Sequence, residues 1–293
     1  MTTNALHRLR VDRFRRPSPA VAQFTLNVAA IAGALVTAGQ VLWWSSIGAW
    51  PFHDTATNYL AGMHLRSGEP VYTSLLGTFL SFVYAPPWAV LWALLSLLPF
   101  ELVAICEFAA QVLALRYVAG SWRVAGLLCW LPFVPRALVT GNVDLLIAAA
   151  LYAAVLGIRG SGYAGALFTF AKFSPILAVR RWREFIVASL VLVAITLPWA
   201  FLWPSWANLI VASIGVPTDS LPFLPRIPFV LLLLALRRPW ARAAAAALAT
   251  PAFYFHSAVL LFPAARLLVE SALANSKPDS VDRPAPAETG AQA

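Results

Sequence analysis

Ten stretches of this chain are apolar and close to the length of a bilayer crossing, and almost no charge interrupts them, which leaves few folds open. A spanning helix needs about 20 mostly apolar residues, because hydrocarbon offers no water to satisfy backbone groups. Such runs fall at roughly 24–44, 84–100, 101–119, 122–139, 142–158, 162–179, 185–203, 223–238, 240–255 and 257–270. Of 293 residues, 60% are hydrophobic and 11% charged. With a mean hydropathy of +0.75, a water-soluble globule is excluded. The expectation is an all-α polytopic membrane protein of about ten transmembrane helices. Pro132 and Pro135 interrupt the fourth run and Pro175 the sixth, so their boundaries can shift by several residues.

Net charge is +9. The basic residues cluster beside apolar runs, which fits positive-inside bias and not nucleic acid binding. Arg8, Arg10, Arg13, Arg15 and Arg16 precede the first run; Arg180, Arg181 and Arg183 follow the sixth; Arg237, Arg238 and Arg242 separate the eighth from the ninth. With ten crossings all three clusters share one side. That side is expected to be the cytoplasm, with both termini inside and the loop 45–83 outside. The first apolar run lacks a small-residue cleavage site and reads as a retained helix. Three regions result: a basic cytoplasmic segment 1–23, a transmembrane domain 24–270, and a disordered cytoplasmic tail 271–293. Cys106 and Cys129 sit within apolar runs as small hydrophobes, so no disulfide or metal site is expected.

Ionisable groups inside hydrocarbon are costly unless paired or turned to a polar cavity, so each is informative. Glu107, Arg116, Arg136, Asp144, Lys172 and His256 fall within or at the ends of apolar runs. Glu107 and Gln111 stand four residues apart, on one helical face that points inward. On the outer side only Asp54, Glu69 and Asp219 are available as acids. Glu69 and Asp219 lie in turn sequences. Asp54 directly precedes a segment, Thr55 to Arg66, suited to a short interfacial helix; it is a candidate base, and also a candidate N-cap for that helix. For Lys172 the alternatives are a functional cation near the Ser174-Pro175 break or a buried pair with Asp144 or Glu107.

Four segments stand out in order. The outer loop carries Asp54, then Tyr59-Leu60-Ala61-Gly62, Gly68-Glu69-Pro70-Val71-Tyr72 and Phe82-Val83-Tyr84-Ala85-Pro86-Pro87. Next come Gly141-Asn142-Val143-Asp144, then Ala164-Gly165-Ala166-Leu167 running to Lys172-Phe173-Ser174-Pro175 and Arg180-Arg181-Trp182-Arg183. The last is Thr250-Pro251-Ala252-Phe253-Tyr254-Phe255-His256. In this order they resemble the GT-C superfamily of membrane glycosyltransferases, and within it glycosyltransferase family 87. Departures are a shorter chain, Asn142 where the family has Gln, and Ala85 within the usual Tyr-Pro-Pro.

The resemblance implies inverting transfer of a hexose, mannose-like, from a polyprenyl-phosphate donor to a glycolipid, glycan or protein acceptor on the outer face of the plasma membrane. A hydroxyl acceptor needs a positioned base, and Asp54 is the expected one. The leaving phosphate needs cations or donors, for which His256, Lys172 and Arg66 are candidates. His53 and Tyr84 complete the expected substrate-binding set. Neither a nucleotide loop nor an acidic metal cluster is present in the sequence, so no cofactor or metal is expected. On ten crossings, Gly141 to Asp144 lands inside, away from Asp54, unless the fourth and fifth runs are re-entrant. Trp43, Trp44, Trp50, Trp199, Trp203 and Trp206 are expected near the outer surface, as an interfacial belt or beside sugar and carrier lipid. Two other classes stay open: a lipid or solute transporter, with its polar groups at the midplane, and a scaffold subunit without catalysis.

Overall fold

The structure, a computed structural model, describes residues 18–47, 51–73, 81–213 and 218–276. The arginines expected before the first span, Trp50, part of the outer loop and most of the tail lie outside the described residues. The described chain is all helical, apart from one isolated antiparallel bridge between Leu221 and Phe253.

Helix α1 spans Pro19–Ser46. Ser18 accepts a hydrogen bond from the Val21 amide, and Pro19 sits in the first turn, where its missing N–H costs nothing. Its outer face exposes Phe24, Ile31, Leu35 and Leu42, as a helix facing lipid does. Against α5 (Trp122–Leu128) it approaches through glycine: a Cβ on Gly33 would lie 2.2 Å from the Gly126 carbonyl, and one on Gly126 2.4 Å from that of Ala30.

Among the described residues, three helices are long and apolar enough to cross a membrane: Pro19–Trp44 within α1, Phe100–Ala119 (α4), and the continuous segment Phe255–Ser276. A fourth is counted if α5 and α6 (Phe133–Thr140) form one broken span; they meet at 96°. Where hydropathy gave about ten crossings, the remaining apolar runs fold as shorter pieces. These include α3 (Pro86–Leu95), α7 (Asp144–Leu156), α8 (Ser161–Ala171) and α12 (Pro239–Leu248). The reason is local. Left-handed glycines end α6, α7 and α4 at Gly141, Gly157 and Gly120, and Pro175 falls in a short 3-10 turn, Ser174–Ala178, after α8.

The core forms around α7, whose Leu145, Ile147, Ala148 and Leu151 are fully buried. The alanine-rich α12 inserts beside it with Ala241, Ala243, Ala245, Ala246 and Ala247 all buried, small side chains allowing close approach of backbones. α2 (His53–Ser67) lies across α3; a Cβ on Gly62 would meet the Trp92 carbonyl at 2.2 Å. The start of α2 is fixed against the end of α6 by the Phe52 amide on the Val139 carbonyl and by Thr55 packed on Gly141.

Candidate functional site

Asp54 stands in the first turn of α2 but does not cap it. The N-cap is Phe52, in the left-handed region at φ 60°, a conformation costly for a bulky residue and one that persists only where surroundings enforce it. Here the Phe52 amide donates to the Val139 carbonyl at 2.7 Å, and its ring meets Phe108 edge-on. The capping role expected for Asp54 is thus taken by backbone geometry. Its carboxylate is free to turn toward the segment after α6.

That segment is Gly141 to Asp144, and its proximity to Asp54 corrects the expectation that it lies on the opposite side. The chain bends by 96° between α5 and α6, so the two do not run straight on as one helix. The Asp144 amide donates to Asn142 Oδ1 at 3.0 Å, which fixes the amide so that Nδ2 faces the site. Asn142 Nδ2 donates to Asp54 Oδ2 at 2.8 Å and lies 3.0 Å from His256 Nε2. An accepting Nε2 places the imidazole proton on Nδ1. His53 Nε2 stands 3.2 Å from the other oxygen of Asp54.

A second layer lies beneath. Asp144 is fully buried; its Oδ1 pairs with Lys172 Nζ at 2.5 Å, and its Oδ2 accepts from Ser257 Oγ at 2.7 Å. His256 Nε2 is 3.9 Å from the same Oδ2. Of the two alternatives for Lys172, the structure shows the buried pair with Asp144. Ser174 and Thr250 hydroxyls meet at 2.9 Å, joining the Lys-Phe-Ser-Pro and Thr-Pro segments. All four segments that carry the family resemblance therefore meet around one cluster.

The cluster's other wall depends on Arg226, which sequence reading missed. All five of its N–H groups donate to backbone carbonyls, those of Pro222, Leu248, Thr250, Leu221 and Pro251. Its guanidinium also lies over Phe253 at 5.6 Å. This buried cation locks the segment leading to His256, whose ring stacks on Tyr254 at 5.5 Å. The only signal in the sequence is an arginine held between Pro225 and Pro228.

Asp54 keeps a quarter of its side chain exposed. Burial raises its pKa, but hydrogen bonds from His53 and Asn142 and the charge of His53 outweigh it, holding the carboxyl below its ordinary 3.8. Tyr84 lies within the field of Asp54 and Asp144, and its ring packs on Phe82 and Trp88.

Arg66 is not part of the cluster. It sits at the far end of α2, about 18 Å along the axis, where its guanidinium donates to the Ser96 carbonyl at 2.6 Å. The cations whose charge reaches His256 are Lys172 and, more weakly, Arg136, which is exposed on α6 with its guanidinium over Trp44 at 5.5 Å. Trp206 donates to the Val83 carbonyl and packs on Trp203. Among the described residues no group of three His, Cys, Asp or Glu side chains is arranged to hold a metal ion.

Neither a family model, nor a curated protein, nor a solved structure matches the chain.

Proposed function

We propose that this chain is a membrane glycosyltransferase of the GT-C type, similar to family 87, which transfers a mannose-like hexose from a polyprenyl-phosphate donor to a glycolipid, glycan or protein acceptor. The observation that supports it is the half-buried Asp54 carboxylate, held ionised by Asn142 and His53 at the meeting point of four separate segments. In this reading the acceptor oxygen attacks the anomeric carbon as the bond to the phosphate oxygen breaks. The hydroxyl proton passes to Asp54, and polyprenyl phosphate leaves with the electron pair. The configuration at carbon inverts.

His256 and Arg136 meet the developing phosphate charge: His256 shares the Asn142 amide with Asp54, the charge of Arg136 reaches His256, and neither is held by a short carboxylate bond. Lys172 acts on the site through Asp144, which orients Ser257 and lies near His256. The site faces outward from the plasma (inner) membrane. Its short helices stack end to end to complete about ten crossings, with α2 lying at the interface.

A lipid or solute transporter is the second reading, favoured by the buried Asp144–Lys172 pair and the broken α5–α6 segment, features that also build transport sites. The deciding experiment supplies membranes with radiolabelled polyprenyl-phosphate hexose. Wild type is expected to transfer label and Asp54→Asn to lose transfer at unchanged protein level. Turnover retained in Asp54→Asn removes the base from this reading.

A further inference from the structure

On the other side of the first turn of α2, the Glu107 carboxylate, the Gln111 amide and the Thr55 hydroxyl converge. Thr55 and Gln111 are fully buried. Among the described residues, neither carboxylate oxygen of Glu107, neither polar atom of the Gln111 amide, nor the Thr55 hydroxyl closes a short hydrogen bond. The Thr55 and Gln111 side chains reach the Glu107 carboxylate only as long hydrogen-bond partners, and it lies within the field of Asp54. The loop packs directly on Thr55: a Cβ on Gly141 would stand 1.9 Å from its hydroxyl oxygen. Buried polar groups are ordinarily paired, and a membrane-embedded carboxylate nearly always has a counter-charge. Glu107 has none among the described residues.

We infer that Glu107, Gln111 and Thr55 form a binding site for a small monovalent cation, for which sodium is the test ion. The donor set is oxygen: both carboxylate oxygens, the Thr55 hydroxyl and, once the Gln111 amide turns its carbonyl to the ion, Gln111 Oε1. Hard oxygen ligands without imidazole or thiolate select alkali and alkaline-earth ions over zinc or copper. One carboxylate is neutralised by one positive charge, whereas a divalent ion leaves a net charge in apolar surroundings. The ion ties α4 to Thr55, the neighbour of Asp54, and so sets where the first turn of α2 sits. None of this depends on the transfer reaction.

The test reads stability and not transfer, so its failure is distinct from failure of the glycosyltransferase reading. Purified full-length protein in nanodiscs is melted in sodium, lithium, potassium, magnesium or choline chloride at matched ionic strength. A saturable rise in Tm specific to sodium is expected, because an ion that binds only the folded state stabilises it. Glu107→Gln abolishes the rise, and Glu69→Gln, in the exposed turn after α2, keeps it. Should Glu107→Gln fail to fold, Gln111→Leu and Thr55→Val carry the same comparison. The proposal is overturned by equal melting in sodium and choline, by a rise that survives these variants, or by a larger rise in magnesium. It is also overturned by a carboxylic-acid infrared band that persists in saturating sodium and vanishes in Glu107→Gln, since a proton then holds the site.

Discussion

The two polar regions flanking the first turn of α2 differ in whether their hydrogen bonds close. On the Asn142 side nearly every donor has its acceptor: Asn142 on Asp54, Ser257 and Lys172 on Asp144, and the Asp144 amide on Asn142. On the Glu107 side five polar atoms of Glu107, Gln111 and Thr55 have no protein partner. A closed network of short bonds holds side chains in one geometry, which a base for proton transfer needs. An open one stores interactions for something outside the chain. One surface of α2 is built to orient, the other to receive.

The closed network is broken hardest at its buried pair. Lys172→Met strands the fully buried Asp144 carboxylate with only Ser257, and is expected to cost roughly 3–5 kcal/mol. The readout is a lower Tm and reduced protein in membranes. Asp144→Asn together with Lys172→Met removes both charges and recovers most of that loss; no recovery contradicts the pairing.

A more local break is Asn142→Ala, which leaves the pair intact and frees Asp54. Misplacing a reacting group by about 1 Å is worth about 10²-fold in rate. The expected result is a fall of that size in kcat with KM little changed and Tm nearly unmoved, and Asn142→Gln restores part of the rate. A fall in Tm matching the fall in rate returns Asn142 to a structural role.

The smallest effect concerns protonation. Because Asp54 is held below 3.8 when folded, it binds fewer protons than in the unfolded chain. Its contribution to stability is therefore present above pH 3.8 and lost as pH falls through the lower folded value. The Tm difference between wild type and Asp54→Asn is expected to be flat near neutrality and to shrink on acidification below about pH 4. A difference that grows on acidification reverses the sign of the account.

Much of this cluster was legible because charge is scarce in so apolar a chain. Asp54, Asp144, Lys172 and His256 each stood out as a cost needing an explanation, and their pairing follows from that cost. Hydropathy was blind to breaks: it sees apolar residues and not the left-handed turns at Gly141 and Gly157 or the bend between α5 and α6. That blindness placed Asn142 on the wrong side of the bundle. Asp54 read as a candidate cap as well as a candidate base, because Asp before a helix ordinarily caps it; a left-handed Phe52 ahead of it leaves no trace in composition. Arg66 looked like part of the site because sequence distance hides the length of a rigid helix. Arg226 was invisible, since its partners are all carbonyls, which every residue carries.

The central claim, that Asp54 accepts the acceptor's proton, is tested most directly in proteoliposomes loaded with labelled polyprenyl-phosphate hexose. Bound donor and transferred label are measured on the same sample of Asp54→Asn protein. The account predicts donor bound at the wild-type level and transfer reduced about 10²–10⁴-fold. Donor bound normally with transfer at the wild-type rate contradicts it.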